Sequence, residues 1–350
     1  MAFYKKLKQY KSNREAGRDP DVEFIPNKEA WIAKRLVGLR ETIRASDLGR
    51  RRHENLVIGS WNIRAFDEGT PRRDESYHYI AEIIDHFDIC AVQEIKEDIE
   101  PLKRLMRLLG PNWSYFVTDV TEGGVGNRER QAFLYNTNRV QFRHVVGEIT
   151  LGDDNLIDGR QIARTPFFAS FQAGWFRFTL VSVHIVFGDN SATEKARRRA
   201  EISAISERIN ERAKAEDEVY VLIGDMNIEK PGGDIFKGLS DHGLTVPYFG
   251  ATNLGGTKYY DQIAFTGEQV KTHLVESGSV DWRGDVFGDD DKETYLPLVK
   301  AARAAAGKDM YTNWDTAYQS YFASFEMSDH LPIWVEIKTD YSDDYLKRFM

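Results

Sequence analysis

Eight short apolar runs constrain this chain more than any other feature of it. They lie at 56–61, 89–93, 132–135, 167–171, 176–183, 219–223, 262–265 and 333–337, each of strand length and bounded by turn residues. Some follow one another with no room for a helix between, as 167–171 and 176–183 do. Helical periodicity appears at 76–87, 98–109, 192–214 and 293–306. Strict alternation of strand and helix would give a doubly wound parallel sheet. This mixture instead predicts an α/β chain with a mixed sheet or two stacked sheets and helices outside.

Ahead of the first run, residues 1–26 are polar, lack periodicity and end at Pro26, which reads as an extended arm. Ile32, Leu36, Leu39 and Ile43 then mark one face of an amphipathic helix, with Asn27 placed to cap it. Residues 1–55 hold fourteen basic and eight acidic side chains, a net of +6; with −8 for the whole chain, the remainder carries −14. That balance argues against a globally basic nucleic-acid binder, while the basic segment is suited to phosphates or simply to water. The expected division is therefore 1–54, an arm and helix, and 55–340, a catalytic domain.

With 41% hydrophobic residues in 350, the chain can bury a large core. No run approaches the roughly 20 apolar residues that span a bilayer. The N-terminus has no apolar signal region, and the lone Cys90 excludes an intrachain disulfide. The expectation is a cytoplasmic protein without membrane contact.

The ends of the apolar runs carry the chemistry. Asn62 ends the first, in GSWNIRAF, and Glu94 the second, in ICAVQEIKED. His184 ends LVSVH, and Asp225 and Asn227 follow VYVLI. Asp261 opens YYDQIAF, and Asp329 and His330 precede the last run in EMSDHLPIWVEI. Strand ends are where α/β folds gather active sites, since the scaffold is rigid and the loops give access. Taken singly, each residue is equally a turn or a cap. Together they supply what phosphodiester hydrolysis needs: oxygen ligands for a hard cation, a base for water and donors for oxyanions. A zinc-type Cys/His spacing, a GxxxxGK[ST] loop and a GxSxG elbow are all absent from the sequence.

In this order WN, QE, GDMN, YDQI and SDHLP resemble the motif series of the endonuclease/exonuclease/phosphatase superfamily, over about residues 55–338. The resemblance implies a four-layer sandwich, two mixed β-sheets packed face to face with helices outside. RERQAFLYNTNRV (128–140) and RTPFFASF (164–171) are similar to segments of the deoxyribonuclease I branch. That likeness implies Glu129 as partner of His184, Asp261 as partner of His330, and Arg164 as a ligand of substrate phosphate. It implies Glu94 as the metal-binding carboxylate, with Asn62 and Asp329 close by, and Asp225 and Asn227 facing the scissile phosphate. The cofactor it implies is Mg²⁺, with Mn²⁺ as a substitute, and the substrate a nucleic acid, DNA ahead of RNA. The Tyr-containing middle segment usual in abasic-site endonucleases is missing.

Two regions depart from that branch. One is the N-terminal extension. The other is an insertion at about 275–325, with the acidic run Asp289–Asp291 and the aromatics Tyr311, Trp314, Tyr318, Tyr321, Phe322 and Phe325. Those aromatics are expected to pack the insertion onto the body, or else to stack bases. Arg197, Arg198 and Arg199 open the helix at 192–214 and are expected to pair with acids such as Glu194 and Glu201, ahead of a contact to phosphate. Two other functions remain: a phosphatase or phospholipase of the same superfamily, acting on inositol phosphates or sphingolipid, and a catalytically dead binding module.

Overall fold

The computed structural model describes residues 2–67, 71–121 and 128–350. Among the described residues, eleven strands form two mixed sheets. The first holds β1 (Leu56–Phe66), β2 (Ile89–Ile95), β3 (Trp113–Val117), β4 (Arg130–Asn136), β10 (Leu274–Ser279) and β11 (Ile333–Ile337), in the order β10-β11-β1-β2-β4-β3. The second holds β5 (Gln141–Glu148), β6 (Phe167–Ala173), β7 (Phe176–His184), β8 (Val219–Asp225) and β9 (Asp261–Phe265), in chain order. Only β1–β2 and β7–β8 run parallel.

Alternation along the strands builds the layers. Leu56 and Ile58 point between the sheets, where Ile89, Phe133, Phe171, Leu180, Val221 and Ile263 meet them. Val57, Trp61 and Ile63 point outward, onto helices α2 (Lys28–Ala45), α3 (Asp74–Ile84) and α4 (Glu100–Leu109). On the far side Val181, Val183 and Leu222 meet Ile202, Ile205 and Ile209 of helix α5 (Ala192–Glu216). The result is helix, sheet, sheet, helix, the four-layer sandwich expected. Among the described residues no helix is long and apolar enough to cross a membrane.

Three strands escaped the sequence reading: β3, β5 and β10. Each lies at a sheet edge. An edge strand is only partly covered, so its apolar signature is weak; β5 is exposed or half-buried along its whole length. The helical periods at 76–87 and 293–306 correspond to α3 and to helix α7 (Lys292–Ala305), a short α6 (Lys237–Ser240) lying between.

The reading of 1–26 as an extended arm is overturned. Lys6–Glu15 form a helix, α1. Its Tyr10 is buried, as is Ile25 beyond it, and the Phe3 N–H donates to the Leu108 carbonyl. A helix with so few apolar residues shows no period; its contacts with α2 hold it in place. Asn27 precedes α2, but its side chain makes no capping bond. Ile32, Leu36, Leu39 and Ile43 are the buried face of α2, as the spacing predicts.

Candidate active site

Strand register brings the polar residues together. In the second sheet His184 is paired directly with Asp225, and Asp225 with Asp261, so three neighbouring strands end in a row of polar side chains. In the first sheet Asn62 is paired with Gln93, next to Glu94. The sheets face one another, and the two rows meet. The Asn62 amide bridges them, donating to Glu94 Oε1 at 2.9 Å and to Asp225 Oδ2 at 3.0 Å.

The backbone is bent to achieve this. β1 and β2 lose register beyond Asn62, and Ala65, Glu94 and Asn227 all take positive φ. For residues with a Cβ such conformations cost free energy and cluster at functional sites. The bend aims the Ala65 N–H at Glu94 Oε2, 2.7 Å away. Gly224, at φ 134°, has no alternative: a Cβ there would stand 2.1 Å from the Val183 carbonyl oxygen.

Each histidine has its own carboxylate. His184 Nδ1 lies 2.9 Å from Glu129 Oε2, and His330 Nδ1 lies 2.7 Å from Asp261 Oδ2. The other nitrogens converge: Nε2 of His184 is 3.5 Å, and Nε2 of His330 3.7 Å, from the same oxygen of Asp225. Asp225 is buried, and its Oδ1 accepts the Asn227 N–H at 2.9 Å. The Asn227 side chain donates to the Ile185 carbonyl.

These contacts set the ionisation. Burial works against charge on His330, but Asp261 and Asp225 outweigh it and hold the imidazole protonated well above its ordinary range. Burial raises the Asp225 carboxyl, with help from Asp261, against the pull of both histidines. Glu129 is buried too, yet the His184 bond, Arg164 and Lys96 bring it down to about 2. Glu94 is also lowered: burial opposes this, and neighbouring His184, the Ala65 N–H and the Asn62 amide prevail.

Asp329 stands at the rim, half-exposed, with Oδ2 3.9 Å from Arg64 Nε. Arg164 is tied down, its Nε 3.4 Å from Glu129 Oε2 and its Nη1 donating to the His184 carbonyl. Four supporting residues went unnoticed in the sequence. Lys96, buried, lies 3.3 Å from Glu129 Oε1. Gln93 donates to Ser182. Ser328 donates to the Asn62 carbonyl and accepts the His330 N–H. Arg64 reaches from β1 toward Asp329. Arg198, expected to pair with an acid, is fully buried and instead donates to the carbonyls of Asn227 and Asp189, and so braces the turn after β8. Of the neighbouring arginines, Arg197 pairs with Glu201 and Arg199 with Asp241. Sequence proximity to Glu94 and His330 was the one available signal for Lys96 and Ser328.

The family model described as "Endonuclease/Exonuclease/phosphatase family" matches residues 59–330, which contain every residue of this cluster. The chain belongs to the endonuclease/exonuclease/phosphatase family. Members of this family are hydrolases, typically dependent on a divalent metal. Among curated proteins the chain is similar to deoxyribonuclease-1 of Equus caballus, 29% identical over 90 residues, which are 25% of this chain. That stretch spans about a third, 32%, of the relative's length. Solved structures share the fold, two of them as follows. A mannosyl-6-phosphatase of Bacteroides thetaiotaomicron VPI-5482 superposes at TM-score 0.52 with 16% identity, covering 81% of this chain and 99% of that one. The catalytic domain of human Nocturnin, with a bound sulfate anion, does so at 0.51 with 14% identity, covering 82% and 95%.

Proposed function

We propose that this family member is a Mg²⁺-dependent phosphodiesterase that cleaves nucleic acid, DNA ahead of RNA, with Mn²⁺ as a substitute ion. The observation that carries the reading is the convergence of two carboxylate-paired histidines on one oxygen of Asp225. Such a site handles a proton on either side of a phosphorus atom.

The oxygen set suits a hard cation. Asn62 Oδ1 is buried and accepts no hydrogen bond, beside the Glu94 carboxylate. Glu94, Glu129 and His184 form one group with metal-ligand proximity, and Asp225, Asp261 and His330 another. In each group one carboxylate is already engaged with a histidine Nδ1. Glu94, with Asn62 and with Asp329 at the rim, is the better holder for Mg²⁺. The ion supplies positive charge for the phosphate oxygens as they gain negative charge.

The chain's own residues do the rest. Glu129 fixes the His184 tautomer with the proton on Nδ1, which leaves Nε2 to accept the proton of the attacking water. As the water oxygen bonds to phosphorus, the bond to the leaving oxygen breaks. His330, held protonated by Asp261, donates from Nε2 to the departing or a non-bridging oxygen. Arg164 offers its remaining guanidinium edge to substrate phosphate, and Asn227 faces the same group.

The basis for nucleic acid is the deoxyribonuclease-like segment with Glu129 and Arg164. The deciding experiment is incubation with plasmid, single-stranded DNA, RNA, inositol phosphates and sugar phosphates, each with Mg²⁺, Mn²⁺ or EDTA. Cleavage of nucleic acid with metal alone supports the reading. Hydrolysis restricted to phosphate monoesters would assign the same centre to a phosphatase, the activity named for the Bacteroides structure.

A further inference from the structure

The aromatic residues of 311–325 divide into two sets. Tyr318 is buried, and Phe322 packs against Tyr295 and Phe287, with ring centroids 5.4 and 5.7 Å away. These fasten the segment to the body. Tyr311 and Tyr321 do something else. Their rings are stacked at 5.2 Å, within 7° of parallel. The Arg303 guanidinium lies over Tyr311 at 3.9 Å, and Lys300 over the neighbouring Trp314 at 5.0 Å. Tyr321 itself is 54% exposed, and an open cavity of about 130 Å³ lies among these rings.

The backbone here is also unusual. Tyr318–Ala323 forms a π-helix, a rare conformation often found at functional sites. Arg64 ties it to the catalytic centre. Arg64 lies on β1 two positions after Asn62, and its Nη1 donates to the Ser320 carbonyl at 3.2 Å while its Nε faces Asp329. Tyr321 is therefore the next residue to one that lies an arginine's length from the rim of the phosphate site.

We propose that the Tyr311–Tyr321 stack is a platform for an unpaired nucleobase of the strand whose phosphate is cleaved, so that the enzyme favours single-stranded nucleic acid. The inference rests on the nuclease reading above and narrows its substrate. Stacking on an aromatic face suits every base and needs no hydrogen-bond code. Arg303 and Lys300 beside the rings supply positive charge for the phosphates flanking such a base. A base pair inside a duplex has both faces covered by its neighbours and cannot offer one to Tyr321.

The test uses the full chain with Mg²⁺ and single-stranded oligonucleotides that carry one abasic position, moved along the strand. In the wild type, an abasic step at one position near the cut should raise KM by about 5- to 100-fold, the range expected for one stacked base. Tyr321→Ala should raise KM on the intact strand by a similar factor and show no further loss at that abasic position. Tyr321→Phe should restore wild-type behaviour. A Tyr321→Ala variant that cleaves the intact strand with wild-type KM would overturn the platform, leaving the rings as packing or a protein contact. So would losses that add at every position. A wild type that cleaves duplex but not single strands overturns the platform and leaves the nuclease reading standing. A wild type that hydrolyses other phosphate esters but no nucleic acid removes both.

Discussion

Asp225 Oδ2 lies 3.5 Å from His184 Nε2, and direct pairing of these two residues across β7 and β8 holds them there. His330 Nε2 lies 3.7 Å from the same oxygen. The carboxylate is thus shared by two imidazoles, each backed by a further carboxylate. Its own proton affinity is raised by burial, and Asp261 beside it adds to this.

If His184 and His330 both move protons, removing either should lower single-turnover cleavage by about 10²- to 10⁴-fold. Glu129→Gln and Asp261→Asn should cost less, because the imidazole stays but loses its fixed tautomer. Circular dichroism separates loss of function from loss of fold. A folded His184→Ala or His330→Ala variant with wild-type rate would remove that histidine from the mechanism.

Excess EDTA should abolish cleavage, and Mg²⁺ or Mn²⁺ should restore it. Glu94→Ala should lose Mg²⁺ binding in a calorimetric titration, while Asp329→Ala, altered at the exposed rim, should weaken it less. Undiminished turnover in chelator would contradict a metal-dependent reaction.

Arg164 touches both Glu129 and the His184 carbonyl, so it orients the pair as well as meeting phosphate. Lys cannot reproduce the planar fork. Arg164→Lys should lower kcat/KM by about 10- to 100-fold, the worth of one or two charge-assisted hydrogen bonds. The fold should be unchanged, as read by thermal melting. Wild-type kcat/KM in this variant would place Arg164 outside the site.

Glu326 gives a separate, pH-linked prediction. Burial raises its carboxyl to about 7, against bonds from the Ser76 hydroxyl and the Arg73 N–H. The fold therefore favours the neutral acid. That contribution is complete below the unfolded value of 4.5 and is lost as pH rises through about 7. Glu326→Gln keeps an acceptor oxygen and cannot ionise. Between pH 5 and 8, wild-type stability should fall relative to the variant by on the order of 2 kcal/mol. Denaturant melts at both pH values measure this, and a difference independent of pH would refute it.

Sequence alone determined a good deal here. Central strands announce themselves because both faces are buried and every residue is apolar, as in Ile89–Ile95 up to Gln93. The polar residue ending each run is visible for the same reason: it breaks the apolar pattern where the strand leaves the core. Those runs left a mixed sheet or two stacked sheets open, and the four-layer arrangement came from the resemblance of the motif series to the family. What the sequence could not contain is register. Whether His184 stands beside Asp225 depends on β7–β8 pairing, and a slip of one residue would turn its imidazole to the other face. Edge strand β5 and helix α1 were equally hidden, because other elements hold them and no period of their own marks them. Lys96 and Arg198 look like surface charges in one dimension. Only the tertiary structure buries them, where a charge must find partners, and the partners it supplies are Glu129 for one and the Asn227 carbonyl for the other.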